Sequence, residues 1–251
     1  DRQNHILTWI RDVGEMSIEA LADHYDVSTQ TIRKDINSLC EMNLLRRVHG
    51  GVKLPSASQN VSFTDRQVIN APAKQAAAAA FAALVPEGAS LMLGIGTTIE
   101  YVAKELVGRD DIRVMTNNLN VAAILCGNRN IEVRVSGGAM RHNDRDLVGL
   151  ETVAFFAAFQ ADLGVVGTGG LDAELGLLDF QTEEAAVTRS ILANSRRRVL
   201  VADSSKWGRQ ALVKVAPLEE IDILCTDELP AFVSPSLLGD KGVKLAGAGQ
   251  G

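Results

Sequence analysis

At 251 residues, with 46% hydrophobic and 4% aromatic residues, the chain can bury a sizeable core and divide into two domains of an aliphatic-rich α/β protein. No apolar run approaches the roughly 20 residues that cross a bilayer, and the first residues do not read as an export signal, so no membrane partner and a cytoplasmic location are expected. A net charge of -6 argues against a nucleic-acid partner unless the positive charge is gathered in one place, and the widely spaced Cys40, Cys126 and Cys225 fit buried free thiols rather than a disulfide framework or a metal site.

Residues 3–13 carry apolar positions at Ile6, Ile10 and Val13, the spacing of a short amphipathic helix that ends near Gly14. A second helix starts at Ser17 and buries Ile18, Leu21, Ala22 and Tyr25, and a tight connection through residues 24–27 leads into a third. There Ser28 is a good N-cap, and Ile32, Ile36, Leu39 and Cys40 form one apolar face. The opposite face presents Thr29, Gln30, Thr31, Arg33 and Lys34, the polar and basic types that meet base edges and phosphates when a helix enters the major groove.

Residues 44–54 read as two short strands around Gly50-Gly51, a hairpin carrying Arg46, Arg47, His49 and Lys53. By itself a basic hairpin is a solvated edge; behind a capped recognition helix it makes a winged helix-turn-helix whose wing touches the DNA backbone. Residues 1–54 hold seven Lys and Arg against eight Asp and Glu, but residues 27–54 hold five against two. The positive charge therefore lies where the duplex would, and Asp35 and Glu41 are expected to point away from it. The expected DNA contacts are Ser28, Thr29, Gln30, Thr31, Arg33, Lys34, Arg46, Arg47 and His49.

Residues 55–72 read as a linker and connector, polar and Pro/Ser-containing at first, then docking through Phe63, Val68 and Ile69. The alanine-rich stretch from Ala73 to about Leu84 predicts a helix. Beyond it, candidate strands at 90–93, 113–115, 132–135, 163–166, 199–201 and 221–224 alternate with helical stretches near 98–107, 119–126, 150–159 and 182–194. This pattern predicts a mainly parallel sheet covered on both faces over residues 73–251, with ligands bound at the carboxyl ends of the strands. The small-residue tail 246–251 reads as a disordered end.

Four loops at strand ends carry candidate chemistry. Gly94-Ile-Gly-Thr-Thr98 opens a helix and suits a phosphate, through backbone amides at Gly96 and the hydroxyls of Thr97 and Thr98. It lacks the third glycine of a dinucleotide fingerprint and the lysine of a P-loop, so no nucleotide cofactor is expected. Asn117 can reach sugar hydroxyls, Gly138 and Arg141 add an amide and a guanidinium, and Gly167-Thr-Gly-Gly170 is a further permissive turn. Arg141 can equally belong to a charge cluster with Asp144, Arg145 and Asp146. Glu183 and Lys206 complete a polar pocket, and as a possible acid/base pair they motivate an alternative reading as a sugar-phosphate isomerase-like enzyme with a DNA-binding module.

Five stretches together resemble the DeoR family of bacterial transcriptional repressors, and the likeness runs nearly end to end. They are Val27-Ser-Thr-Gln-Thr-Ile-Arg-Lys-Asp-Ile36, Arg46-Arg-Val-His-Gly-Gly51, Ile95-Gly-Thr-Thr98, Met115-Thr-Asn-Asn-Leu-Asn-Val121 and Asp203-Ser-Ser-Lys-Trp-Gly208. The resemblance implies an operator-binding N-terminal domain and a sensor domain resembling sugar-phosphate isomerases, assembled as a homodimer or homotetramer and lacking enzymatic activity. It implies a phosphorylated effector at Gly96, Thr97 and Thr98, with Asn117, Gly138, Arg141, Glu183 and Lys206 around the rest. Glycerol 3-phosphate is the first choice of effector and a phosphorylated sugar the alternative. Many family members have an acidic residue two before the glycine of the Gly-Thr-Thr turn, where this chain has Gly94.

Overall fold

The computed structural model describes residues 2–41, 44–55, 60 and 62–247. The first unit comprises α1 (Arg2–Val13), β1 (Glu15–Ser17), α2 (Ile18–Tyr25), α3 (Thr29–Glu41), β2 (Arg46–Val48) and β3 (Gly51–Lys53). Ser17 caps α2, its Oγ accepting from the Ala20 amide at 3.0 Å, and Ser28 caps α3 in the same way, accepting from the Thr31 amide at 3.2 Å. Ile6, Ile10, Leu21, Ile32, Ile36, Leu39 and Val52 close a core drawn entirely from this unit. Val13 instead faces solvent, and Tyr25 and Cys40 are only half-buried.

The wing has three strands rather than two, in the order β1-β3-β2. The three-residue strand between the first two helices is too short to show a period. Its presence explains Gly51, because a Cβ there would sit 2.4 Å from the Met16 carbonyl oxygen.

After the linker, whose residues 56–59 lie outside the described residues, come α4 (Phe63–Val68) and α5 (Ala71–Ala82). Phe63 is buried and anchors α4, whereas Val68 is exposed. Helix α5 starts two residues before the expected Ala73, since Pro72 sits in its first turn, where no backbone donor is needed.

The remaining elements are β4 (Ser90–Leu93), α6 (Thr97–Leu106), β5 (Arg113–Thr116), α7 (Leu119–Leu125), β6 (Glu132–Val135), the hairpin β7 (Ala139–Arg141) and β8 (Asp146–Val148), and α8 (Leu150–Ala157). They continue with β9 (Ala161–Val166), β10 (Gly170–Asp172), β11 (Gly176–Asp179), α9 (Thr182–Ala193), β12 (Ser195–Val201), β13 (Val213–Ala216), β14 (Ile223–Thr226), α10 (Pro235–Asp240) and β15 (Lys244–Gly247). Seven of these strands form one sheet in the order β15-β14-β12-β9-β4-β5-β6, every pair parallel. One apolar layer, including Phe81, Ile99, Val102 and Val121, covers one face; a second, including Phe156, Ile191, Leu200 and Trp207, covers the other.

Two sequence expectations change here. Ala246 and Gly247 are not a loose tail but the end of β15, paired with Cys225 and Thr226 of β14; residues 248–251 lie outside the described residues. None of the three cysteines is in a disulfide; Cys225 is buried, Cys40 is half-buried and Cys126 is exposed. Among the described residues, no helix is long and apolar enough to cross a membrane.

Candidate functional site: a basic helix face and an effector pocket

On α3, Thr29, Gln30, Arg33 and Lys34 are exposed on the face opposite Ile32, Ile36 and Leu39. Ser28 and Thr31 are engaged with each other at 2.9 Å between hydroxyl oxygens, so their first duty is to cap the helix. Arg46, Arg47, His49 and Lys53 are exposed on the wing, and Arg47 donates to Asn37 of α3, tying wing to helix. Asn37, exposed one turn after Arg33, belongs to the same surface and was missed as a contact candidate. Asp35 is turned into the unit, where it accepts from Arg2 Nε at 2.7 Å and from Gln3 at 3.1 Å. That leaves the face basic. The side chain of Glu41 lies outside the described residues.

The second site lies at the carboxyl ends of β4 and β9. From β4 the sheet continues through β5 and β6 on one side and through β9, β12 and β14 on the other, so the crevice above β4 and β9 is the switch point where open parallel sheets bind ligands. Gly96, at φ 101°, lets the chain turn directly from the loop after β4 into α6. Gly96, Thr97 and Thr98 line the pocket together with Gly167, Thr168 and Gly169 from the end of β9. The first amides of α6 have no partner within the helix and sit at its positive end. Gly94 is buried below the turn, where a Cβ would make ordinary contact, at 3.4 Å, with Ile191 Cδ1 and the Val165 carbonyl oxygen.

Lys206 enters from the short helical turn after β12, and burial, then the Arg209 charge, pull its amine down to about 7. Asp203, buried beside it, works in the opposite direction. Lys74 of α5, in the same cluster, is pulled to about 8, chiefly by burial. Asp179 and Glu184 supply part of an acidic wall. Burial and then the Glu184 charge hold the Asp179 carboxyl well above the usual range, although Asp179 accepts from the Gly169 amide at 2.9 Å.

The other expected effector residues are arranged differently. Glu183 points into solvent, its carboxylate accepting from the Thr182 hydroxyl at 3.0 Å; Glu184, one residue on, faces the pocket. Arg141 sits behind the acidic wall rather than in it: Nε donates to Asp146 at 2.7 Å, Nη2 to the other Asp146 oxygen, and Nη1 to Gln181 and Glu184. Its fork is already filled by Asp146, Glu184 and the Gln181 side-chain oxygen, so it holds Asp146 and Glu184 in place, largely buried rather than in a surface charge cluster. Asn117 is fully buried, its amide donating to the Leu147 carbonyl at 2.7 Å and thereby fastening β8 to the end of β5; it is not on the pocket surface. Gly138 lies at the start of the β7-β8 hairpin at φ 132°, also outside the pocket. In their place the pocket gains Asn60 and Arg66 from the connector, with Asp144 and Asp146 from the hairpin.

Two family models match the chain: residues 2–58 match the DeoR-like helix-turn-helix domain and residues 69–228 the DeoR C terminal sensor domain. The chain belongs to the DeoR family. The glycerol-3-phosphate regulon repressor of Escherichia coli is 38% identical to this DeoR protein over 97% of each chain. That of Haemophilus influenzae is 40% identical over 91% of this chain and 89% of its own. The E. coli repressor CsqR is 37% identical over 97% and 94%. Among solved structures, ribose 5-phosphate isomerase A from Methanocaldococcus jannaschii aligns over 55% of each chain at 16% identity with a TM-score of 0.42. This DeoR protein is thus a transcription regulator with an N-terminal helix-turn-helix and a mainly parallel α/β sensor.

Proposed function

We propose that this protein is a cytoplasmic homo-oligomeric repressor that binds operator DNA through residues 1–54 and releases it when residues 73–251, joined by the connector 55–72, bind glycerol 3-phosphate. The observation that carries the effector class is the convergence of the α6 amino end and Lys206 on a pocket that Asp179 and Glu184 also line. Amides and an amine suit a phosphate; carboxylates accept from hydroxyls. A small polyol phosphate has both ends. The names of the relatives at 38% and 40% identity support the glycerol skeleton, while the differently named repressor at 37% keeps a phosphorylated sugar as the second reading. This reading includes no reaction on the effector: the relatives are named repressors, and Glu183, which the enzyme alternative pairs with Lys206, faces solvent.

On DNA, two copies of α3 enter successive major grooves, with Thr29, Gln30, Arg33 and Lys34 toward the bases and Arg46, Arg47 and His49 along the backbone. Ser28 and Thr31 shape the helix start. Effector binding favours an arrangement that no longer matches the operator spacing, and by linkage operator DNA weakens effector binding by the same factor. Arg33→Ala is expected to cost roughly 1–3 kcal/mol of operator affinity at fixed salt; unchanged affinity would take Arg33 off the interface.

The deciding experiment is fluorescence anisotropy on DNA from upstream of the protein's own coding sequence, titrated with glycerol 3-phosphate at constant ionic strength. Release by glycerol 3-phosphate, but not by glycerol or inorganic phosphate, is the expected result. Release by a phosphorylated sugar alone overturns the effector; release by none overturns the sensing role.

A further inference from the structure

One wall of the effector pocket is built from the segment that joins the two halves of the protein. Residues 59–68 fall between the matched domains, yet Asn60 and Arg66 from this segment line the pocket together with Thr97, Thr98 and Lys206. Arg66 lies on α4, which the sensor grips at several points. The guanidinium pairs with Asp144 of the β7-β8 hairpin, its side chain largely buried. Lys74 Nζ donates to the backbone carbonyls of Arg66 and Ile69, the latter at 2.8 Å, and Tyr101 donates to the Gln67 carbonyl at 3.2 Å. Arg209 Nη2 holds Asn60 at 2.7 Å. The chain leaving the wing is therefore fastened around the cavity before it enters the first helix of the sensor.

We propose that Arg66 is an effector-phosphate ligand and the element that reports occupancy: it exchanges the Asp144 carboxylate for the phosphate, and the exchange shifts α4. This deepens the reading of the pocket as a phosphorylated-effector site and rests on it. A phosphate dianion offers the guanidinium the same paired acceptor geometry as a carboxylate with more charge, so it competes directly with Asp144. Once released, Asp144 lies 3.9 Å from Arg141 and keeps a cationic neighbour. Because Arg66 belongs to the connector, its change of partner moves the segment leading out of the DNA-binding unit. The mechanism is a partner exchange at one side chain and needs no other rearrangement of the pocket.

The signs separate this from a merely structural ion pair. In the full-length protein, Arg66→Gln is expected to weaken glycerol 3-phosphate binding, read by calorimetry, by tenfold or more. Asp144→Asn is expected to tighten it several-fold, because the phosphate no longer has to displace the Asp144 carboxylate. Both variants should weaken operator binding without effector, because both loosen α4. The decisive variant is the double one: if Asp144 acts by holding Arg66, the gain from Asp144→Asn vanishes when Arg66 is Gln. A gain that persists in the double variant means that Asp144 only repels the phosphate, and the exchange is overturned. Normal binding by Arg66→Gln overturns it as well. Arg66→Lys, which keeps the charge and loses the fork, should fall between wild type and Gln, and gives a second readout if Gln destabilises α4.

Ribose 5-phosphate and inorganic phosphate, titrated in parallel, separate the inference from the choice of effector. If either binds and follows the same pattern while glycerol 3-phosphate does not, the glycerol skeleton is wrong and the exchange stands. If the wild type binds none of the three, both fall.

Discussion

Ile36→Ala is expected to abolish operator binding while leaving effector binding intact. Ile36 is fully buried in the small core, and removing a branched side chain from such a site costs roughly 2–5 kcal/mol through lost burial and the cavity left behind. A unit of this size has little to spare, since small domains bury a smaller fraction of their surface and sit close to the folding threshold. Helix α3 contributes Ile32, Ile36 and Leu39 to that core, so losing its seat takes the basic face and the Arg47–Asn37 tie with it. Among the described residues, the two sensor cores contain none before Ala77, so the damage stays local. Calorimetry should show the small unit's transition lowered by roughly 10 °C or more, at about 4–8 °C per kcal/mol for a domain of this size, and the sensor transition unmoved. A sensor transition that falls in parallel would show the two units melting as one.

The same residues show what could be read from sequence and what could not. The Ser28 cap and the spacing of Ile32, Ile36 and Leu39 are local, so α3 and its polar face are legible in the sequence. The glycine-threonine turn was legible for the same reason: a strand, a glycine at positive φ and a helix start are adjacent in the chain. Glu184 had a readable signal. Val187, Thr188 and Ile191 stand three, four and seven residues on and are all buried, which puts Glu184, and not Glu183, on the inward face of α9. Asn60 and Arg66 had none, because polar connectors contain such residues everywhere and Asp144 is 78 positions from its partner Arg66. Arg141 was legible as a cation at a strand end but not as a filled one, since its partners Gln181 and Glu184 come from across the fold. The antiparallel β10, β11 and β13 escaped because strands of three or four residues broken by turns show no period.

Lys206→Met is expected to remove most of the response to effector and all of a specific pH dependence. Met keeps the length and the apolar stem of the side chain and deletes only the charge, so the pocket retains its shape. A hydrogen bond to a charged group contributes roughly 1.5–3 kcal/mol, which places the loss of effector affinity at about 10- to 100-fold. Operator affinity without effector should change little, since Lys206 lies in the sensor pocket. The pH profile follows from the direction of the shift. Burial and Arg209 pull the free amine down to about 7, and a phosphate beside it raises that value again. Below about 7 the amine is charged with or without effector and affinity is flat in this group; above it a proton must be taken up on binding, so affinity falls as pH rises, by up to tenfold per unit, until the bound-state value is passed. The effector's own second ionisation, near pH 6 for a phosphate monoester, weakens binding on the acid side. The optimum therefore lies between about 6 and 7. Lys74, pulled to about 8, and Arg209 share the cluster, but Lys74 is spent on the Arg66 and Ile69 carbonyls, and Arg209 on Asn60. Glycerol 3-phosphate titrations from pH 6.5 to 8.5 should lose affinity more steeply in the wild type than in Lys206→Met, where Asp179, its carboxyl held well above the usual range, and Lys74 leave a shallower slope. Parallel slopes in the two proteins would assign the proton to another group and leave Lys206 a structural role only.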